Sequence, residues 1–273
     1  MRKETRRGLF TAVVLAALAL LGPLPAAEPA GVGAGTLDRI QARGGLLVGM
    51  EIGYFPFEYL DPLGRPVGFD VELAGLLAED LGVKLEIRDM AWNNLIPALR
   101  SGQIDCIISA LTRTSERAAL VGFSESYFET GLSLLLNRKR ARGVESLQGL
   151  DGKDRIVVVV DRSSAAGEAM KLFSFAQVKP VSREFEGVEA VLGGAADALF
   201  IDQLTVWKRR QDFPEETFAL LAPLTLEFLA AAVPPGDQVF LDRVNSFLAL
   251  IKKNGKLEEL KQRHLGQMGR TAN

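Results

Sequence analysis

The sequence predicts an α/β chain of two similar lobes, and three observations carry that prediction. Short apolar runs alternate with segments of helical period, the pattern of strands interleaved with helices. The alternation comes as two series, residues 46–109 and 155–202. The series also share an internal echo. Residues 98–110 can be laid over 190–202 with Ala, Gly and Asp coinciding, each stretch reading helix end, Gly stop, Asp, buried strand.

Taken in order, Leu46, Leu47 and Val48 predict the first strand. Within 69–81, Phe69, Leu73, Leu76 and Leu77 fall on one helix face, Gly82 ends that helix, and 83–87 alternates as a strand. A helix over 92–100 and a strand over 104–109 complete the first series. The second opens at 155–160, where Arg155 precedes an unbroken β-branched run suited to a strand covered on both faces. Helix 165–173, strand 177–181, helix 187–192 and strand 198–201 follow. Segments 128–136 and 228–233 are candidates to cross between lobes, and two crossings make a hinge. Asp237 can cap a helix over 238–253 that Gly255 stops, which returns the chain to the first lobe. The domain reading is therefore lobe 1 from 36–130 and 229–273, and lobe 2 from 131–228. Ligands of such sheets lie beyond the carboxyl ends of strands. Ala110 and Asp202 occupy those ends, one in each lobe, so facing lobes would put both on a central ligand cleft.

Composition narrows the function. Of 273 residues 48% are apolar and 24% charged, a globular profile. Lys and Arg number 32 against 34 Asp and Glu, with no basic block, so no nucleic-acid partner is expected. One Cys and one His exclude a Cys/His zinc site and a disulfide scaffold, and leave His264 alone for any His-based triad. No metal or cofactor is expected. Cys106, inside an apolar strand run, reads as a buried, inert thiol. Arg2, Lys3, Arg6 and Arg7 precede the apolar run 9–21 and a small-residue exit, which together predict a secretory signal peptide over 1–27 with cleavage near Ala26 or Ala27. The run is shorter than the roughly 20 residues of a spanning helix. Arg6-Arg7-Gly8-Leu9-Phe10 also fits the twin-arginine pattern loosely, so either export route is open.

Longer stretches then carry a resemblance. They are Gly53-Tyr54-Phe55-Pro56-Phe57-Glu58-Tyr59, then Pro66-Val67-Gly68-Phe69-Asp70-Val71-Glu72-Leu73-Ala74, then Leu95-Ile96-Pro97-Ala98-Leu99 with Gly102 and Asp105. Ser109-Ala110-Leu111-Thr112-Arg113-Thr114-Ser115-Glu116-Arg117 and the closing Asn254-Gly255-Lys256-Leu257 continue the series. In this order, from about Thr36 to Gly266, the chain resembles a bacterial extracellular solute-binding protein of family 3, a periplasmic amino-acid receptor of ABC import. The resemblance implies the two-lobed periplasmic-binding-protein fold of type II, with two hinge crossings around a ligand cleft.

The resemblance also implies roles, each beside a plainer reading. Arg117 matches the arginine that clamps a ligand's α-carboxylate, a task suited to the planar guanidinium fork; spacing alone favours a solvated helix residue pairing with Glu116 or Glu125, and it is the resemblance that reverses this. Thr112 takes the motif's hydroxyl position, Ala110 offers its backbone carbonyl, and Arg113 is left to the surface. Asp202 is the acceptor for a ligand ammonium, and also a natural N-cap for helix 203–210. Tyr54 and Trp92 would be aromatic walls, or core. Glu51 stands where relatives holding polar or basic side chains carry an acid; a solvated loop acid is the alternative. Ser163 and Ser164 match a hydroxyl turn ahead of a helix, with Ser164 its cap. Arg162 replaces that turn's usual Gly, so either the backbone geometry changes or a second positive group enters the cleft.

What the resemblance implies is a binding protein without catalysis, expected to act as a monomer. A free amino acid, polar or basic in side chain, would be enclosed by the lobes in the periplasm and delivered to an ABC permease in the inner membrane. The rival is an exported cyclohexadienyl or arogenate dehydratase on the same scaffold, with Glu51, or Glu186 if its helix faces inward, as general acid.

Overall fold

The computed structural model describes residues 35–266, so the expected signal peptide lies outside the described residues. Among them no helix is long and apolar enough to cross a membrane.

The first half runs α1 (Thr36–Arg43), β1 (Gly45–Met50), β2 (Tyr59–Leu60), β3 (Pro66–Val67), α2 (Phe69–Asp80), β4 (Lys84–Asp89), α3 (Trp92–Arg100), β5 (Cys106–Ile107), α4 (Ser115–Ala118) and β6 (Gly122–Thr130). The second runs β7 (Leu132–Asn137), α5 (Leu147–Leu150), β8 (Ile156–Val160), α6 (Ser164–Leu172), β9 (Gln177–Val181), α7 (Glu184–Leu192), β10 (Ala198–Asp202), α8 (Gln203–Asp212) and β11 (Thr217–Leu220). The chain closes with β12 (Glu227–Val233), α9 (Gln238–Lys253) and α10 (Lys256–Leu265).

Two five-stranded sheets result, ordered β4-β1-β5-β12-β6 and β11-β7-β10-β8-β9, with β2 and β3 a separate hairpin. Each sheet has a parallel trio flanked by an antiparallel pair. β1 runs parallel to β4 and β5, and β8 runs parallel to β9 and β10. The internal echo thus corresponds to β1-α2-β4-α3-β5 repeated as β8-α6-β9-α7-β10. The chain passes from the first sheet to the second at Gly131 and returns between Leu220 and Glu227. The passages lie side by side: Leu132 N donates to Thr225 Oγ1 at 3.0 Å and Leu224 N to the Leu132 carbonyl at 2.8 Å.

The apolar run of the second series buries both faces, as its composition requires. Val157 and Val159 meet Leu134, Leu136, Ala165, Ala169 and Phe173 on one side. Val158 and Val160 meet Leu135, Val188, Val191 and Leu199 on the other. Burying each of these larger side chains is worth about 1.5–3 kcal/mol. In the first half, Phe240, Val244, Phe247, Leu248 and Ile251, spaced along one face of α9, join the cluster of Val48, Phe69, Leu73 and Tyr127. The C-terminal helix therefore packs on the first sheet, although it follows the second in sequence.

Four expectations need correction. Segment 228–233, expected to cross between lobes, lies within β12 of the first sheet, paired with β6, and the crossing falls before it, between Leu220 and Glu227. The strand expected over 104–109 is only Cys106–Ile107. On either side of it, side chains take over part of the pairing: Asp105 N still donates to the Leu47 carbonyl, but Leu47 N donates to Asp105 Oδ2 at 2.8 Å, and Glu51 N donates to Ser109 Oγ at 3.1 Å. α7 starts at Glu184, three residues early, placing Glu184 and Glu186 in a first turn whose dipole favours acids. β4 starts one residue later than expected and ends two later, the late start arising because Gly82 turns with φ 70 and Val83 N bonds back to the Ala78 carbonyl at 3.0 Å. Cys106 is fully buried, and burial pushes its thiol above the ordinary range.

Candidate functional site

The carboxyl ends of the two parallel trios face one cavity. From the first sheet's side come Glu51, Tyr54 and Glu58 after β1, Trp92 at the start of α3, Ala110 and Thr112 after β5, Arg117 on α4, and Glu227 and Leu229 on β12. From the second come Leu132, Val160, Ser163, Ser164, Ala165, Glu184, Ile201 and Asp202. All nine residues singled out in the sequence border this one space.

Arg117 is 8% exposed and pairs with neither Glu116 nor Glu125. Its Nη1 donates to the Thr112 carbonyl at 2.9 Å and its Nη2 to the Arg162 carbonyl at 3.1 Å, so it reaches from one half to the other. Its guanidinium carbon lies 5.1 Å from the Trp92 ring centroid. Burial lowers its pKa to about 10, which leaves it cationic at neutral pH.

Asp202 is 6% exposed and does cap α8: Oδ1 accepts from Leu204 N at 2.8 Å. Its Oδ2 accepts from Thr130 Oγ1 at 2.6 Å, and burial raises its pKa to about 6. A carboxylate oxygen has two lone pairs, so the cap and the threonine leave acceptor capacity toward the cavity.

The turn after β8 departs from expectation twice. Ser163, not Ser164, is the N-cap of α6, its Oγ accepting from Ala166 N at 3.1 Å. Ser164 is thereby freed to approach Thr112, Oγ to Oγ1, at 3.5 Å. Arg162 adopts the left-handed φ of 55 that its place in the turn demands. Its side chain is 74% exposed, 3.8 Å from Asp161, so it adds no positive group to the cavity. Its carbonyl does the work at the rim, accepting from Arg117 and, at 3.4 Å, from Trp92 Nε1. Ala110 is the other non-glycine residue with positive φ among the described residues, at 44. Both bends follow inner strands and both touch the site, the usual location of backbone strain.

Further bridges span the halves. Asn93 Nδ2 donates to Asp161 Oδ2 at 3.1 Å, and Thr205 Oγ1 to the Phe55 carbonyl at 3.3 Å. Tyr54 stacks on Phe57 with centroids 5.9 Å apart. Burial drives its hydroxyl well above the ordinary tyrosine range. Glu51 lies 4.0 Å from Arg183 Nε, with a carboxyl raised by burial. Glu186 borders no part of the cavity; it is half-buried and accepts from Ser182 N at 2.9 Å, which removes it as a general acid.

Residues 46–267 match the family described as bacterial extracellular solute-binding proteins, family 3. The chain belongs to that family. Among curated members, this family-3 protein is similar to the arginine-binding extracellular protein ArtP of Bacillus subtilis, 31% identical over 80% of this chain and 85% of ArtP. Among solved structures it is similar to a putative binding component of an ABC transporter from Wolinella succinogenes complexed with lysine. That likeness has 39% identity and a TM-score of 0.76, covering 81% of this chain and 96% of the other. It is also similar to the ancestral amino acid-binding protein AncCDT-1, described as a precursor of cyclohexadienyl dehydratase. Here identity is 32% and the TM-score 0.77, over 85% of this chain and 99% of that one. Its fold is the two-lobed periplasmic-binding type of these relatives.

What sequence reasoning missed in this family-3 site is its acidity. Glu58, Glu184 and Glu227 join Glu51 and Asp202 on the walls, against one arginine. Glu184 is compensated by Arg209, whose Nε and Nη2 reach its two oxygens at 2.8 and 3.0 Å. Glu58 is held by the chain around it. Phe69 N and Asp70 N, opening α2, donate to the Pro56 and Phe57 carbonyls at 3.1 and 2.9 Å. A Cβ on Gly68 would stand 2.2 Å from the Phe57 carbonyl oxygen, so only glycine allows the approach. Glu58 lies within a motif stretch visible in the sequence; Glu184 and Glu227 have no local signature, because nothing short-range brings β12 and α7 to one wall.

Proposed function

We propose that the protein captures a free amino acid with a polar or basic side chain between its lobes, outside the cytoplasm, and delivers it to an ABC permease as a monomer. The lobes in this reading are 36–130 with 229–273, and 131–228, although Glu227 and Phe228 already pair with β6 in the first sheet. One observation carries it: a buried guanidinium and a buried carboxylate, Arg117 and Asp202, come from opposite sheets to the walls of one cavity. Arg117 binds the α-carboxylate and Asp202 the α-ammonium, each relieving a buried charge that would otherwise lack a full partner. Thr112, the Ala110 carbonyl, Ser163 and Ser164 supply hydrogen bonds, and Tyr54 and Trp92 flank the side chain. The names of the relatives support the same class of ligand.

The experiment is a thermal-shift screen of the twenty amino acids with ornithine, citrulline and prephenate. The cognate ligand raises the melting temperature in a concentration-dependent way by mass action. No shift with any of them would sink the proposal. A second reading, a dehydratase, draws on the half-buried Glu51 carboxyl, a raised acid at the cavity wall; it requires prephenate or arogenate to be consumed over time.

A further inference from the structure

Glu58 is 1% exposed, borders the cavity, and is half satisfied. Its Oε1 accepts from Ser109 Oγ at 2.6 Å, while its buried Oε2 has no hydrogen-bond partner. Behind it Asp70, fully buried, accepts from Ala110 N and from Tyr127 Oη at 2.9 Å, and its Oδ1 is likewise unpartnered. The titratable groups facing Glu58 are Asp70 on α2, Glu51 and Tyr54 after β1, and Tyr127 on β6. None of them is cationic.

Two buried carboxyls acting on each other without a cation do not both ionise; at least one keeps a proton. An unmatched acceptor at a cavity wall that holds five acids and one arginine is suited to a positive group. We propose that Glu58 is a specificity-determining residue, whose free Oε2 receives the cationic end of a ligand side chain while the proton held by the Glu58–Asp70 pair leaves to solvent. The exchange balances: a carboxylic acid and a hydrated cation become a carboxylate–cation pair and one released proton. The inference rests on the amino-acid reading above and adds to it the charge of the side chain.

Burial and the neighbouring Asp70 hold the Glu58 carboxyl well above the ordinary range, the direction that favours a proton kept within the pair. Arginine and citrulline have nearly the same shape and differ in side-chain charge, which makes them the probes. Calorimetric titration of the intact protein, in buffers of different ionisation enthalpy at one pH, counts protons released on binding. Both ligands bring an α-ammonium to Asp202, so the difference between them isolates the side chain. Arginine is expected to release about one proton more than citrulline. In Glu58→Gln, whose amide oxygen can still accept from Ser109, that extra proton disappears and the arginine-to-citrulline affinity ratio falls at least about tenfold. Equal proton counts with measurable binding of either ligand overturn the Glu58 assignment alone. Failure of every amino acid to bind overturns the amino-acid reading and this inference together. The buffer series on the unsubstituted protein decides the matter even if Glu58→Gln does not fold.

Discussion

Arg117 is held by two carbonyls, from Thr112 and Arg162, and neither carries a negative charge. A guanidinium placed this way keeps a strong demand for an anion, and its planar fork suits a carboxylate better than an ammonium does. Arg117→Lys is expected to weaken amino-acid binding about 100-fold, roughly 2.7 kcal/mol, while changing the melting temperature of the empty protein little. Isothermal titration with the cognate ligand checks the first part and calorimetric melting the second. The residue types of the site were legible in the sequence wherever they fell in the Ser109–Arg117 stretch or at a strand end. Glu58 was legible as a motif letter and not as a cavity wall, since its meaning lies in the missing partner of one oxygen. Such an absence is visible only once Ser109 and Asp70 are placed around it.

Elements were legible where one physical signal dominated. Helix α9 begins and ends where Asp237 and the stretch before Gly255 place it, with Asp237 Oδ1 accepting from Phe240 N at 3.0 Å. Strand β5 was overread, because the Asp105 and Ser109 side chains accept β1 amides that the apolar pattern assigns to ladder carbonyls. The turn between β8 and α6 is a third case, since Arg162 takes a left-handed conformation that costs a side-chain-bearing residue about 1 kcal/mol. Arg162→Gly is expected to raise stability by about 0.5 kcal/mol, the strain relieved being partly offset by the freer unfolded chain. Because the Arg162 carbonyl stays in place, ligand affinity is expected to be kept. Paired denaturant and binding titrations of the variant check both statements.

At the level of the whole molecule, buried acids set the response to pH. Burial raises Asp70 to about 7, from an ordinary 3.8, and Asp202 to about 6. A carboxyl with a raised native pKa binds its proton more tightly folded than unfolded. Its stabilising effect is complete below the ordinary value and fades as pH climbs through the native one. The empty protein should therefore lose a few kcal/mol of stability between about pH 4 and pH 7. Asp151, lowered by the N–H groups of Ala176 and Phe175, acts in the opposite sense at more acid pH. A melting series across that range checks the fall, and a saturating cognate amino acid should flatten it by giving Asp202 a cation. The two-lobed plan was legible from the echo of residues 98–110 in 190–202, since parallel trios repeat in order. The bridges between the lobes were not, because Asn93 with Asp161 and Thr112 with Ser164 join segments about 50–70 residues apart in sequence without any local pattern.

The paired passages between the sheets have a mechanical side. At Gly131 an added methyl would stand 2.4 Å from the Thr225 carbonyl oxygen and 2.6 Å from Pro223 Cβ, so the two backbones run nearly flush. Cross-linked by the Thr225 hydroxyl and the Leu224 amide, they form one paired ribbon rather than two separate strings. A side chain added at residue 131 is expected to wedge these two passages apart.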